Sequence, residues 1–153
     1  MKLILILTIM VILVGCAQHE TPPRGIVVES QSPAIGVNST LNEAIGIETL
    51  GGVFTPLLES GATVPCQKYE IFSTAADNQD QIMIVLYRGN ARMVKDNKRI
   101  GHFQIEGIPP ASRGTPQIRV SFIVTKTDIM LDAQDLSTGR QMKISEMKES
   151  SQP

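Results

Sequence analysis

The 153-residue sequence is poor in aromatic residues, cysteine and histidine. It has no Trp, and Phe and Tyr bring the aromatic fraction to only 4%, so any core must be aliphatic. Two Cys and two His could build a four-ligand zinc site only if all of them converged. The formal charge of −1 argues against a general nucleic-acid binder. With 42% hydrophobic and 19% charged residues, the composition is that of one ordinary globular domain.

The sequence also lacks the motifs of common catalytic and nucleotide-binding sites. It contains no phosphate-binding glycine loop and no nucleophile elbow. His19 and His102 are far apart in the sequence and have no carboxylate pattern beside them. We therefore expect a binding protein rather than an enzyme, with no metal, cofactor or nucleotide.

One long apolar run is present, at the N-terminus. Lys2 precedes residues 3–17, in which Thr8 is the only polar residue. The run is shorter than the about 20 residues of an ordinary membrane span, and it has the length of a secretory h-region. It ends in LVGC at residues 13–16, which resembles a bacterial lipobox.

This resemblance implies that residues 1–15 are a lipoprotein signal peptide and that Cys16 carries lipid after cleavage. The small Gly15 and the polar residues after Ala17 favour this interpretation over a plain signal peptide or an uncleaved anchor. Acyl chains hold a protein at a membrane by about 0.8 kcal/mol per buried CH₂. We expect a lipid-anchored protein of the bacterial cell envelope. Because Ala17 rather than Asp follows the cysteine, a Gram-negative cell would pass it to the outer membrane, facing the periplasm.

Composition divides the rest of the chain. Residues 16–43 are rich in Pro, Ser, Gly and Asn without a sustained period, which predicts a flexible tether with at most a short extended piece at 25–29. Residues 44–145 alternate short apolar runs with turns, which predicts an all-β fold, a two-sheet antiparallel β-sandwich. Residues 146–153 are predicted to be a polar tail. The predicted strands cover residues 45–50, 53–58, 67–73, 81–87, 100–105, 117–125, 129–134 and 140–145.

Two stretches organise the predicted sandwich. In residues 45–53 (IGIETLGGV) apolar runs flank two glycines, which predicts a β-hairpin with a tight primed turn because glycine adopts positive φ readily. Residues 72–79 (FSTAADNQ) are predicted to end one strand and form a loop before the strand 81–87. In that strand Ile82 and Ile84 share one face, because side chains alternate across a pleat.

These two stretches resemble the peptide-binding β-sandwich of the heat shock protein 70 family, the DnaK-type chaperones. Residues 96–101 (DNKRIG) and 110–122 (PASRGTPQIRVSF) fit the same family in the expected order. The resemblance covers only that sandwich. We expect neither the ATPase domain that precedes the sandwich in the family nor the helical lid that follows it. Residues 37–43 also depart from the family's acidic hydrophobic linker, so we expect no coupling to a nucleotide domain.

The resemblance further implies a channel in which an extended peptide lies. Its pocket would be formed by Ile47, Phe72, Ile82, Ile84 and Ile118, its closing arch by Leu50 and Ala75, its backbone contacts by Thr49 and Ser73, and a side-chain contact by Gln79. Three of the pocket residues, Ile47, Ile84 and Ile118, would equally be core residues of any sandwich. Leu50 is harder to explain in that way, because a large apolar residue at a turn tip usually contacts something.

Three further residues have two interpretations each. Asp77 and Arg113 match positions that pair with the lid in the family. Without a lid, we expect them to form a solvated surface pair that contributes little to stability. The alternative is that Arg113 holds the loop at residues 109–110. Cys66 is predicted to be a partly buried thiol, the alternative being a bond to another chain.

The function implied by the resemblance is that of an ATP-independent holdase. Such a membrane-tethered module would bind extended apolar peptides or unfolded proteins, with neither nucleotide nor nucleic acid as a partner. The alternative is a structural or adaptor lipoprotein that recognises one fixed envelope partner. Affinity for many unrelated apolar peptides would favour the holdase, and affinity for one or none would favour the adaptor.

Overall fold

The computed structural model describes residues 25–30, 35–36 and 38–147. Over these residues the chain forms nine strands and a short 3-10 turn at Val94–Asp96, and no helix has the length and apolarity that a membrane crossing requires. The strands are β1 Ile26–Ser30, β2 Ala44–Thr49, β3 Val53–Leu58, β4 Cys66–Phe72, β5 Gln81–Gly89, β6 Lys98–Glu106, β7 Ile118–Val124, β8 Asp128–Asp135 and β9 Lys143–Glu146. The predicted all-β class is confirmed.

The strands form two antiparallel sheets, as predicted for a β-sandwich. The four-stranded sheet has the order β1-β8-β7-β4, and the five-stranded sheet has the order β3-β2-β5-β6-β9. The core lies between them and is filled by alternate residues of the strands, since alternate side chains point to one face. In β7, for example, every second residue from Ile118 to Val124 is buried.

Part of the predicted tether, residues 16–43, belongs to the sandwich in the structure. Residues 26–30 form β1, which pairs with β8 at the edge of the four-stranded sheet, for example Ile26 with Leu131. Ile26 and Val28 pack against the core, and Leu41 is itself buried at 2% exposure. The apolar run is only three residues long and has polar and proline-rich neighbours, so composition alone hid its pairing.

The other predicted segment boundaries lie near the two ends of the chain. The predicted signal peptide 1–15, Cys16 and residues 148–153 lie outside the described residues. The start of the predicted tail is attached to the sheet, because Glu146 ends β9 and the Met147 N–H donates to the His102 carbonyl at 2.7 Å. The last predicted strand begins three residues later than expected, because residues 135–140 form a turn closed around the Asp135 carboxylate.

Candidate functional site

The hairpin of β2 and β3 carries one rim of a cleft. Residues 50–52, which follow Thr49, are called here the hairpin tip. The Gly52 N–H donates to the Thr49 carbonyl at 3.1 Å. Gly51 and Gly52 have φ values of +85° and +73°, but Leu50 does not have a positive φ. The predicted primed turn is therefore wrong, because a primed turn needs a positive φ at its first central residue. A three-residue tip takes its place.

Leu50 lies at this tip with its whole side chain in water. Its exposure is 100%, and a Cβ added at Gly51 would meet no atom within 4 Å. The tip is tied at its base, where the Val94 N–H donates to the Gly52 carbonyl at 3.0 Å. The Thr49 hydroxyl is hydrogen-bonded within the hairpin. The hairpin tip thus presents an apolar side chain on a lightly held turn.

The second rim is the loop of residues 73–80 between β4 and β5, called here the clamped loop. The Gln79 Oε1 accepts hydrogen bonds from the N–H groups of Ala75 at 2.9 Å and Ala76 at 3.2 Å. The Gln79 Nε2 donates to the Gln81 carbonyl at 2.6 Å. Both ends of this amide are therefore engaged within the loop. These bonds order the backbone that carries Ala75, and the peptide contact of Gln79 stays a prediction.

A second set of hydrogen bonds joins the clamped loop to residues 111–114. They run from the Asn78 N–H to the Ala111 carbonyl at 2.8 Å, from the Arg113 N–H to Asp77 Oδ1 at 2.8 Å, and from the Gly114 N–H to the Thr74 carbonyl at 3.0 Å. Asp77 and Arg113 therefore meet, but through the Arg113 backbone rather than its guanidinium. The Ser73 hydroxyl donates to the Pro116 carbonyl at 2.5 Å. The loop is held from both sides.

A cleft of about 200 Å³ opens at the bases of the two rims. The β2–β5 ladder ends at the pair of Ile47 with Leu86, and the two strands separate beyond it. The cleft is lined by Ile47, Glu48, Phe72, Met83, Ile84 and Val85. Its volume is below the roughly 300–1,000 Å³ of pockets for small molecules, and such a site suits one apolar side chain.

Three of the five predicted pocket residues meet in this cleft, namely Ile47, Phe72 and Ile84. The other two are not among its lining residues. Ile118, the cross-strand partner of Phe72, is 0% exposed, and Ile82 is 7% exposed. Both belong to the core between the sheets. Ile84 belongs to the same core at 3% exposure and still contributes to the cleft lining.

Two lining residues of β5 were missed by the sequence reasoning, Met83 and Val85. They alternate with Ile82 and Ile84, and the prediction used only one face of the strand. Residues 82–86 (IMIVL) are a continuous apolar run rather than an alternating one, which was the available signal that both faces contact apolar surroundings.

Glu48 is the charged member of the cleft lining. The Tyr87 hydroxyl donates to Glu48 Oε2 at 3.0 Å. Burial raises the pKa of Tyr87, and the hydrogen bond and negative charge of Glu48 raise it further. Tyr87 therefore stays protonated and holds the carboxylate in place, which ties β2 to β5 at the base of the hairpin.

Among the residues that line the cleft, Glu48 is the one with an ionisable side chain. Cys66 is buried at 3% exposure. Over the described ranges, no three His, Cys, Asp or Glu side chains come together as a metal site requires. Apart from Glu48, the residues that line the cleft are of apolar type, and they include no Ser, Cys, Lys or His.

Comparison with known families gives a match over most of the chain. The family described as Hsp70 protein matches residues 34–153, which is most of the chain. The matched region contains strands β2 to β9, both rims and all of the residues that line the cleft.

Proposed function

Because the chain belongs to the Hsp70 family, we propose that its β-sandwich binds extended apolar segments of unfolded proteins at the cleft between the hairpin tip and the clamped loop. Membership of this family supports a chaperone-like, peptide-binding role. The single observation that carries the proposed site is Leu50, a fully exposed apolar side chain on the hairpin whose strand β2 contributes Ile47 and Glu48 to the cleft. A bound ligand that covers Leu50 would remove this apolar side chain from water.

The expected binding mode follows from the lining. One apolar side chain of the client would enter among Ile47, Phe72 and Ile84, and burial of a Leu-sized group is worth about 1.5–3 kcal/mol. Backbone hydrogen bonds to the rims would add affinity that tolerates many sequences. A Kd of 1 μM corresponds to about 8.2 kcal/mol, so one pocket and a few hydrogen bonds predict micromolar or weaker binding with fast exchange.

The proposed activity is passive and independent of ATP. The cleft supplies apolar contacts and a fixed backbone edge, and neither requires a nucleotide to form. Client segments would bind and leave according to their concentration alone. The protein would thereby act as a holdase that keeps extended segments from aggregating.

Lipid on Cys16 would anchor the protein to a membrane of the bacterial cell envelope. In a Gram-negative cell this would be the outer membrane. The support is the LVGC motif after the apolar run. Cys16→Ser should leave an unprocessed precursor that takes up no lipid label. Cys66→Ser is the matched control and should be labelled like the wild type. Processing and labelling of the Cys16 variant would overturn the anchor.

Peptide binding is tested with an array of unrelated apolar and polar heptapeptides and the chain from Ala17 onward. We expect many apolar peptides to bind, with the same Kd in the presence and absence of ATP. Ile47→Phe should fill the cleft and weaken binding by about tenfold or more, since a blocked pocket loses the burial of one side chain. Ile47 is only partly buried, so the larger ring can extend into the cleft rather than the core.

Val27→Phe is the matched control for added volume, because Val27 is 47% exposed on β1, away from the cleft. It should bind peptides like the wild type. Equal binding by the Ile47 variant would remove the cleft as the site. Affinity for one peptide or none would replace the holdase with the alternative adaptor function.

A further inference from the structure

The outer faces of the two sheets differ in chemical character. On the outer face of the five-stranded sheet, polar side chains are bonded to one another. Lys143 forms a salt bridge with Glu106 at 2.9 Å, and the Ser145 hydroxyl donates to the other carboxylate oxygen at 2.8 Å. The Gln104 amide is likewise bonded to Gln81. This face is suited to contact with water, because covering such groups with an apolar surface is costly.

The outer face of the four-stranded sheet carries an apolar strip instead. Val27 of β1, Met130 of β8 and Ile123 of β7 are cross-strand neighbours in one row. Each alternates with residues that are buried in the core or packed against it, so all three point away from the core. Tyr69 and Ile71 of β4 extend the strip, because they pair with outward residues of β7. These five residues are called here the apolar face.

Much of the apolar face is accessible to solvent. Three of its side chains are well exposed, namely Val27 at 47%, Tyr69 at 58% and Ile71 at 53%. Charged residues of the same side of the sheet are Arg119, Asp132 and, at the start of β8, Asp128. The Arg119 guanidinium lies 5.8 Å from the centre of the Tyr69 ring and donates to Gln134 Oε1 at 2.7 Å. Exposed apolar residues that are grouped in this way mark an interaction surface.

The chain that precedes β1 indicates what covers the apolar face. Val27, the first residue of this face along the chain, is eleven residues after Cys16. With lipid on Cys16, the four-stranded sheet is the one that the chain enters directly from the membrane. We propose that the apolar face lies on the surface of the bilayer in which Cys16 is anchored. This inference rests on the proposed lipid anchor and adds to it the orientation of the sandwich.

The composition of the apolar face suits the interfacial region of a bilayer. Its aliphatic side chains gain free energy by leaving water, and Tyr69 can place its ring in the apolar layer with its hydroxyl among the headgroups. Arg119 can keep its charged end at the same depth. Asp128 and Asp132 must also stay hydrated, so the contact is shallow. A weak attraction is sufficient, because the anchor already holds the sandwich beside the membrane.

This orientation leaves the peptide-binding cleft accessible. The cleft-lining residues Glu48, Met83 and Val85 belong to β2 and β5 of the five-stranded sheet. When the four-stranded sheet lies on the bilayer, the outer face of the five-stranded sheet is turned toward water. Client segments can then approach the cleft without displacing lipid.

Because the sequence has no tryptophan, one introduced tryptophan reports its own surroundings. The full chain is purified from bacterial membranes and reconstituted in phosphatidylcholine vesicles with or without bromine on the acyl chains. Bromine should quench the fluorescence of Val27→Trp and of Tyr69→Trp. Met83→Trp is the matched control, since Met83 is 43% exposed on the five-stranded sheet, and its emission should not change. Flotation of the chain with the vesicles tests the anchor separately.

Added charge tests the contact in a second way. Val27→Asp together with Ile71→Asp, introduced into Tyr69→Trp, should restore most of the quenched emission, because carboxylates do not remain against lipid. Met83→Asp together with Met147→Asp adds the same charge at two residues of similar exposure, 43% and 42%, and should leave the quenching unchanged. All four positions are exposed, so urea denaturation should show the same fold in both variants.

The outcomes separate the apolar face from the anchor. Flotation without quenching at positions 27 and 69 would overturn the contact and leave the anchor standing. Equal quenching at position 83 would overturn it too. Emission at positions 27 and 69 that shifts to shorter wavelength without quenching would show that a protein covers the face instead of lipid, and this would also overturn the proposal. A chain that does not float would overturn the anchor and this inference together.

Discussion

The two rims of the cleft are built in opposite ways. The clamped loop is tied by the Gln79 amide within itself and by backbone hydrogen bonds to residues 111–114, and its Thr74 is buried. The hairpin tip contains two glycines and ends in a fully exposed Leu50. The conformational entropy of the clamped loop is lost when the protein folds, whereas Leu50 keeps its rotamer freedom until a ligand covers it.

This difference separates two tasks that a peptide-binding site must perform. A rim that is ordered in advance offers a fixed backbone edge to a client of any sequence. A rim with a free apolar side chain can adjust to clients of different shape, at a cost of about 0.5–1 kcal/mol for ordering one leucine. Damage to the clamped loop should therefore affect stability, and damage to the hairpin tip should affect binding alone.

The largest effect is expected from Gln79→Ala. The change removes two acceptor bonds and one donor bond from the loop, each worth about 0.5–1 kcal/mol at an exposed position, so the free energy of unfolding should fall by about 1.5–3 kcal/mol. Urea denaturation measures this loss, and the amides of Ala75 and Ala76 should exchange faster. Gln117→Ala, at an exposed glutamine before β7, is the control. An unchanged stability would mean that residues 111–114 hold the loop alone.

A smaller effect, confined to binding, is expected from Leu50→Ser. Partial burial of this side chain by a peptide is worth about 1–2 kcal/mol, so the Kd for apolar peptides should rise about 5–30-fold. The unfolding free energy should stay within about 0.5 kcal/mol of the wild type, because the side chain is fully exposed. Leu136→Ser, at an exposed leucine after β8, should leave the Kd unchanged. If stability fell instead, the tip would be packed and the contrast between the rims would fail.

The smallest effect is expected from Tyr87→Phe, which removes the bond to Glu48 at the base of the hairpin. At neutral pH the loss should be about 0.5–1 kcal/mol. The folded protein raises the pKa of Tyr87, so its stabilising contribution is complete below the ordinary tyrosine value near 10 and is lost as the pH rises through the folded value.

Stability measured from pH 8 to 12 should therefore decline less steeply in Tyr87→Phe than in the wild type. Tyr69→Phe is the control, because it removes a phenol from the exposed face of β4 instead. Alkaline curves of the same steepness for the wild type and the Tyr87 variant would show that this phenol does not tie β2 to β5.

Local patterns predicted most of the fold. Short apolar runs bounded by turn residues predicted the strands at 53–58 and 81–87, which match β3 and lie within β5, and β7 and β8 alternate buried and half-buried residues over their whole length. β1 was predicted only as a short extended piece at 25–29 of the tether, and its pairing was missed because the partner strand β8 is about a hundred residues away in the sequence. Pairing over such a distance leaves little trace in a short window of sequence.

The site was predicted less completely. Ile47, Phe72 and Ile84 were identified from the family resemblance and do line the cleft. The sequence left open whether Ile118 lines the pocket or belongs to the core, and the burial of both Ile82 and Ile118 depends on how closely the two sheets approach. The role of Gln79 was also hidden, since a glutamine in a loop has the same sequence whether its amide faces a ligand or its own backbone.

The position of β1 also limits how far the protein can reach. Ile26 begins a strand of the sandwich and is ten residues after Cys16, so a fully extended chain between them spans at most about 33–36 Å. A tether that continued to residue 43 would have allowed nearly three times that distance. If lipid on Cys16 is the anchor, the cleft is confined to a layer close to the bilayer surface. Under the proposed holdase function, client segments would then be met only within reach of that surface.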